Sequence, residues 1–152
     1  MAKPIPDGYH AITPYLHVQG ASAAIEFYKS AFGAAEIMRM TGPDGRIGHA
    51  ELQIADSRIM LADEHPDIGA FSPRHFGGSP ITLMFYCENV DMMIHQAVAA
   101  GAKITRPIAD QFYGDRNGGI LDPFGYQWFI ATHVEDVSNE EMERRQSDKV
   151  TT

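Results

Sequence analysis

Ile12-Thr13-Pro14-Tyr15-Leu16-His17-Val18 and Ile81-Thr82-Leu83-Met84-Phe85-Tyr86-Cys87 decide the reading of the fold, because they occupy the same place in two halves of one repeat. Sliding the chain along itself by 69 residues, the step from Ile12 to Ile81, also sets Ile25 on Ile94, Met60 on Phe129 and Leu61-Ala62 on Ile130-Ala131. Gly33-Ala34 meets Gly101-Ala102 after a slip of one residue. Self-similarity at a fixed step marks a repeated structural unit. Each half reads as strand, helix and three strands, so the expected fold is α+β, built of two tandem βαβββ modules.

Working outward, residues 11–18 alternate, with Pro14, Leu16 and Val18 on one face and Thr13, Tyr15 and His17 on the other. Ser22 is the expected cap of a helix running to Phe32, whose Ile25, Tyr28 and Phe32 form an apolar stripe and whose stop is Gly33. Strands are predicted at 36–41, 47–54 and 58–63. The second module repeats the order: a strand at 81–87, a helix capped by Asn89 and ended by Gly101, then strands at 103–109, 116–121 and 127–133. This sets module one at 11–63, a linker rich in Gly, Pro and Ser at 64–80, module two at 81–133 and a tail at 134–152. The linker is long enough to serve as a lid or crossover. Ser138-Asn139-Glu140-Glu141 reads as a capping box for a short polar helix to Gln146.

Composition narrows the setting. The chain has 152 residues, 44% of them hydrophobic, a net charge of −8 and a single cysteine. That content is ample for one core, and no apolar run reaches the roughly 20 residues of a membrane span. An acidic chain with no Lys/Arg cluster argues against nucleic acid and anionic membranes as partners. Lone Cys87 excludes an internal disulfide framework, and the expected location is cytoplasmic.

The strings Thr13-Pro14-Tyr15-Leu16, Ile25-Glu26-Phe27-Tyr28-Lys29-Ser30-Ala31-Phe32-Gly33-Ala34, His49-Ala50-Glu51-Leu52 and Asp122-Pro123-Phe124-Gly125 give the chain a family likeness. So do residues 111–116 and 131–138. The chain resembles the vicinal-oxygen-chelate superfamily (glyoxalase, bleomycin resistance, dioxygenase), in particular its PhnB-like branch. The resemblance implies that the two βαβββ modules form a cupped mixed sheet around a sheet-lined cavity, and that relatives dimerise, so a homodimer is expected. It also implies a test. Metal-dependent members place a His or Glu in the first and last strand of each module, and aligning the Phe27-Tyr28 helix and the Asp122-Pro123 turn puts these positions at Thr13, Met60, Thr82 and Phe129. None is a ligand that a borderline divalent metal takes, and slips of one or two residues recover none. No cofactor is therefore expected.

Strand alternation nominates the cup instead. If Leu16, Val18, Leu83 and Phe85 face the helices, then Tyr15, His17, Met84 and Tyr86 face the cup, with His49 and Glu51 sharing the cup side of the third strand. His49 and Glu51 stand two residues apart, close enough for the carboxylate to favour the charged imidazole, and are the candidate catalytic pair. Tyr113 and Arg116 flank the turn at Gly114-Asp115. Arg116 is a candidate clamp for a carboxylate or phosphonate, beside side-chain-free space at Gly118-Gly119. Phe129, Met60 and Met84 complete an adaptable apolar wall. His10, His65, His75, His95 and His133 receive no role. The favoured function is binding of a small, partly apolar molecule without the usual metal. The alternatives are a metal-free lyase, isomerase or hydrolase using His49 and Glu51, and a metal-dependent glyoxalase or dioxygenase.

Overall fold

Leu16, Val18, Ala50, Leu52, Ile54, Ile59 and Leu61 are buried while the residues between them are more exposed or lie on the other face, so the period-two pattern sorts each strand into a helix side and a cup side. A computed structural model describes residues 1–150. Module one is β1 (Tyr15–Val18), α1 (Ala21–Phe32), β2 (Ala35–Thr41), β3 (Ile47–Ile54) and β4 (Ser57–Asp63). A linker with a 3-10 turn at Pro66–Ile68 and the short helix α2 (Pro73–Phe76) leads to module two. Its elements are β5 (Thr82–Tyr86), α3 (Val90–Ala100), β6 (Lys103–Asp110), β7 (Asp115–Leu121) and β8 (Gln127–His133), after which comes α4 (Asn139–Val150). The expected polar helix thus runs past Gln146, and residues 151–152 of the expected tail lie outside the described residues.

The sheets run β1-β4-β3-β2 and β5-β8-β7-β6, each with one parallel pair, β1 with β4 and β5 with β8. They are equivalent but remain two separate ladders. One reason lies at His17, where the Tyr126 hydroxyl donates to the His17 carbonyl at 2.9 Å and accepts from its N–H at 3.1 Å, taking up the hydrogen bonds of the β1 edge. Module one joins module two through its helix. Tyr28, Phe32, Phe85, Phe124 and Trp128 make one aromatic cluster with ring centroids 4.7–6.3 Å apart. Gln96 on α3 donates to the Ser30 and Ala31 carbonyls at the end of α1.

Two expectations are corrected here. α1 starts at Ala21, and its cap is Asp63 at the end of β4 rather than Ser22: the Asp63 carboxylate accepts from the backbone N–H groups of Gly20 and Ala21 at 3.0 and 2.8 Å. Gly20 has φ 92, a left-handed turn that only glycine adopts without strain. The first strand is also shorter than 11–18. Pro14 has no N–H to give a ladder, so pairing begins with its carbonyl accepting from Met60 N–H, and residues 11–13 leave the sheet.

Candidate functional site

The centre of each cup face is set by the parallel pairs. Tyr15 stands opposite Met60 and Met84 opposite Phe129, two pairs that the repeat relates by its step of 69 residues. The first-strand positions are therefore Tyr15 and Met84, two residues beyond Thr13 and Thr82, since Thr82 pairs with Gln127. A divalent metal wants imidazole, carboxylate or thiolate, and Tyr15, Met60, Met84 and Phe129 offer none. These residues do not fit a resident metal. Among the described residues no three His, Cys, Asp or Glu side chains come together as a metal-binding group.

Around Tyr15 the module-one cup carries a line of polar contacts. The Tyr15 hydroxyl meets His49 Nδ1 at 2.9 Å, and His49 Nε2 lies 3.9 Å from Glu51 Oε1. His17 stacks on the Tyr15 ring with centroids 5.0 Å apart, and burial lowers its pKa, which favours a neutral imidazole. Burial, and then the Glu51 charge, raise the Tyr15 phenol. Glu51 in turn accepts a hydrogen bond from Tyr9, a residue the sequence reading left without a role. At the β2 end this face opens into a groove of about 890 Å³ whose lining includes Tyr15, His17, Met40, Ala62, His65 and Ile68. The linker thus supplies one wall.

Module two presents a different surface. Arg106 lies with its guanidinium 5.0 Å from the centre of the Phe129 ring. Gly119, opposite both, makes this possible, because a Cβ there would sit 3.2 Å from Arg106 Cβ and 3.3 Å from Phe129 Cδ1. Among the described residues no carboxylate pairs with Arg106. At the far end of the face, buried Asp115 accepts from the Tyr86 hydroxyl at 2.9 Å and faces His133 Nδ1 at 2.8 Å, while His133 Nε2 faces Asp136 at 2.7 Å. A carboxylate against each ring nitrogen favours the charged imidazole at His133. Its pKa is raised by the bond to Asp115 and then by that to Asp136. Tyr113 is tied to this face through its hydroxyl, which accepts from Asn117 Nδ2 at 2.7 Å.

Arg116 is not in the cup. It shares the helix side of β7 with Gly118 and Ile120, where its guanidinium grips Asp91 of α3 at 2.8 and 2.9 Å and Asp110 at 3.1 Å. These partners hold its charge firmly and leave no fork for a ligand. The space beside Gly118 is not open either: Ile94 Cδ1 would lie 2.7 Å from a Cβ at that position. The structure therefore gathers Tyr15, His17, His49 and Glu51 on one cup face and Met84, Tyr86, Tyr113 and Phe129 on the other, and separates Arg116 from both. Arg106, missed in the sequence, places a guanidinium on the module-two cup face.

Comparison with known proteins gives a consistent family. Residues 10–130 match the model of the glyoxalase/bleomycin resistance protein/dioxygenase superfamily. An uncharacterized protein of Mycobacterium tuberculosis (strain H37Rv) is 37% identical over 140 residues, covering 90% of this chain and 82% of that one. An uncharacterized protein of Arabidopsis thaliana is 30% identical over 136 residues, covering 84% and 81%. Among solved structures, an Arabidopsis thaliana gene product superposes with TM-score 0.66 at 28% identity, covering 81% of this chain and 98% of that one. The PhnB protein of Bacillus cereus shares the fold, with TM-score 0.62 at 21% identity over 81% and 99%.

Proposed function

The chain belongs to the glyoxalase/bleomycin resistance protein/dioxygenase superfamily, and from that premise we propose that it binds a small, flat, partly apolar anion in its sheet-lined cup without a resident divalent metal. Membership alone fixes no chemistry, because one fold carries many. The observation that carries the reading is the central quartet Tyr15, Met60, Met84 and Phe129, which offers aromatic and thioether surface where a metal centre needs hard or imidazole donors. Arg106 over Phe129 adds a cation for the anionic end, and the two methionines adapt to the apolar part. The test uses 2-naphthoate. Titration of the purified protein is expected to give saturable binding with the probe returned unchanged, and elemental analysis well under one equivalent of Zn, Ni, Fe or Mn. Stoichiometric metal, lost on replacing His49 or Glu51, would overturn the metal-free reading and move the centre to β3.

A second reading has a specific observation behind it. His49 stands between the Tyr15 hydroxyl and the Glu51 carboxylate, an arrangement suited to passing a proton in a lyase, isomerase or hydrolase. Turnover of a bound compound, abolished by His49→Ala with binding retained, distinguishes it from sequestration.

Assembly and location belong to the same proposal. Tyr15, Met84 and Tyr86 are 41%, 46% and 55% exposed on the cup faces, a wall suited to closure by a second copy in a twofold pair. Static light scattering is expected to give twice the 16.8 kDa chain mass, and a mass of one chain at high concentration sinks the idea. No helix among the described residues is long and apolar enough to cross a membrane, and the proposed setting is the cytoplasm.

A further inference from the structure

Residues 4–13 form a strap with no helix or strand of its own, yet it is seated on the module-one cup by specific contacts. The Tyr9 N–H turns back to the Pro6 carbonyl at 3.1 Å. Gly8, at φ 84, brings the backbone so close to Arg58 that a Cβ would lie 2.6 Å from Nη2. This delivers the half-buried Tyr9 ring to a slot on the sheet. Its hydroxyl donates to Glu51, its face lies 5.1 Å from the Arg58 guanidinium carbon, and Arg58 is itself fixed by donating from Nε to Gln53 Oε1 at 2.6 Å. Burial, and then the bond to Glu51, raise the Tyr9 pKa, so the phenol stays a donor.

Every side chain in that slot comes from the sheet, and only its occupant comes from the strap. The guanidinium over the ring face selects an aromatic ring, and the carboxylate at hydroxyl distance favours one that carries a hydroxyl over a plain one. The slot also adjoins a groove of about 520 Å³ lined by His10, Ile12, Arg58, Met84 and Tyr86, which leaves room for the rest of a larger molecule. We propose that Glu51, Arg58 and Gln53 form an aryl-hydroxyl subsite of the cup, that Tyr9 occupies it as an internal competitor, and that a planar phenolic ligand binds by displacing the strap. This rests on the reading of the cup as a binding site and names the ligand class it selects.

The experiment uses 2-naphthol, with 2-methoxynaphthalene as the probe lacking the donor. A plug that holds the site closed lowers apparent affinity by the open fraction, so Tyr9→Ala is expected to bind 2-naphthol at least about fivefold more tightly than the wild type. Glu51→Ala is expected to bind it at least about fivefold more weakly than Tyr9→Ala, and 2-methoxynaphthalene to gain nothing from Tyr9→Ala. In the wild-type protein, saturating 2-naphthol is expected to speed chymotryptic cleavage after Tyr9 at least about fivefold, a readout that does not depend on any variant folding. Equal affinity in wild type and Tyr9→Ala, or a cleavage rate that 2-naphthol leaves unchanged, overturns the proposal. Absence of 2-naphthol binding to both proteins also overturns it. Retained binding of 2-naphthoate in that case leaves the cup reading standing, and loss of both probes removes the two together.

Discussion

Asp122→Ala is expected to lower stability by about 3–5 kcal/mol, the range for removing the charged partner of a buried network. At roughly 2–4 °C per kcal/mol for a chain of this size, the melting temperature falls by about 6–20 °C. The Asp122 carboxylate is 3% exposed and accepts four hydrogen bonds: from Tyr28 at 2.6 Å, Trp128 Nε1 at 2.9 Å, and the backbone N–H groups of Phe124 and Tyr126 at 2.8 and 3.0 Å. Burial raises its pKa, and the four donors offset only part of that rise. Truncation leaves the Tyr28 and Trp128 donors without their acceptor in the aromatic core that joins the modules. Tyr28→Phe keeps the ring and removes one hydrogen bond, so about 1–2 kcal/mol is expected, and far less in the Asp122→Ala background because the partner is already gone. Thermal and urea melts of the two single variants and the double variant measure this coupling. Additive losses, or a loss below about 1 kcal/mol for Asp122→Ala, would show that the modules are held by packing alone.

What the sequence made legible follows from the reach of each contact. The repeat, both helices and their glycine stops were readable because Ile25, Ile94, Leu61 and Ile130 meet the opposite layer at a fixed local period. The cap of α1 was not, because the ordinary signal at Ser22 lost to Asp63, which arrives from the other end of the module. Arg116 was misplaced because the carboxylate that claims it, Asp91, arrives from α3, 25 residues away. Arg106 was overlooked because β6 breaks its register between Ile104 and Arg106 and again between Arg106 and Ala109, so counting every second residue fails to give its face. Tyr9 lies in a segment without periodicity, and its partner Glu51 is 42 residues away. His133 gains Asp115, its buried carboxylate, only once β7 is paired with β8. In each case the missing information is a tertiary contact that no local pattern encodes.

Leu52→Ala and Arg106→Ala are expected to separate folding from binding, each changing what the other leaves alone. Leu52 is fully buried on the helix side of β3, so its truncation opens a cavity in the core and costs about 2–5 kcal/mol. Arg106 is exposed on the other module's cup face and among the described residues has only the Phe129 ring for a side-chain partner, so its loss costs about 0.5 kcal/mol or less. Binding of 2-naphthoate inverts the order. One lost charge-assisted contact is worth roughly 1.5–3 kcal/mol, so Arg106→Ala weakens the probe at least about tenfold, while Leu52→Ala leaves the affinity of the folded fraction near the wild type. His49→Ala belongs with Arg106→Ala, because its neighbours Ala50 and Leu52 already supply the core contacts of β3. Arg116→Ala is the control on the opposite face of β7: it releases Asp91 and Asp110 and leaves probe affinity unchanged. Melts run beside titrations decide the matter. If His49→Ala melts the protein as deeply as Leu52→Ala, the polar line from Tyr15 to Glu51 is a structural brace. If Arg116→Ala weakens the probe as much as Arg106→Ala, the anion is held on the helix side and the cup is not its site.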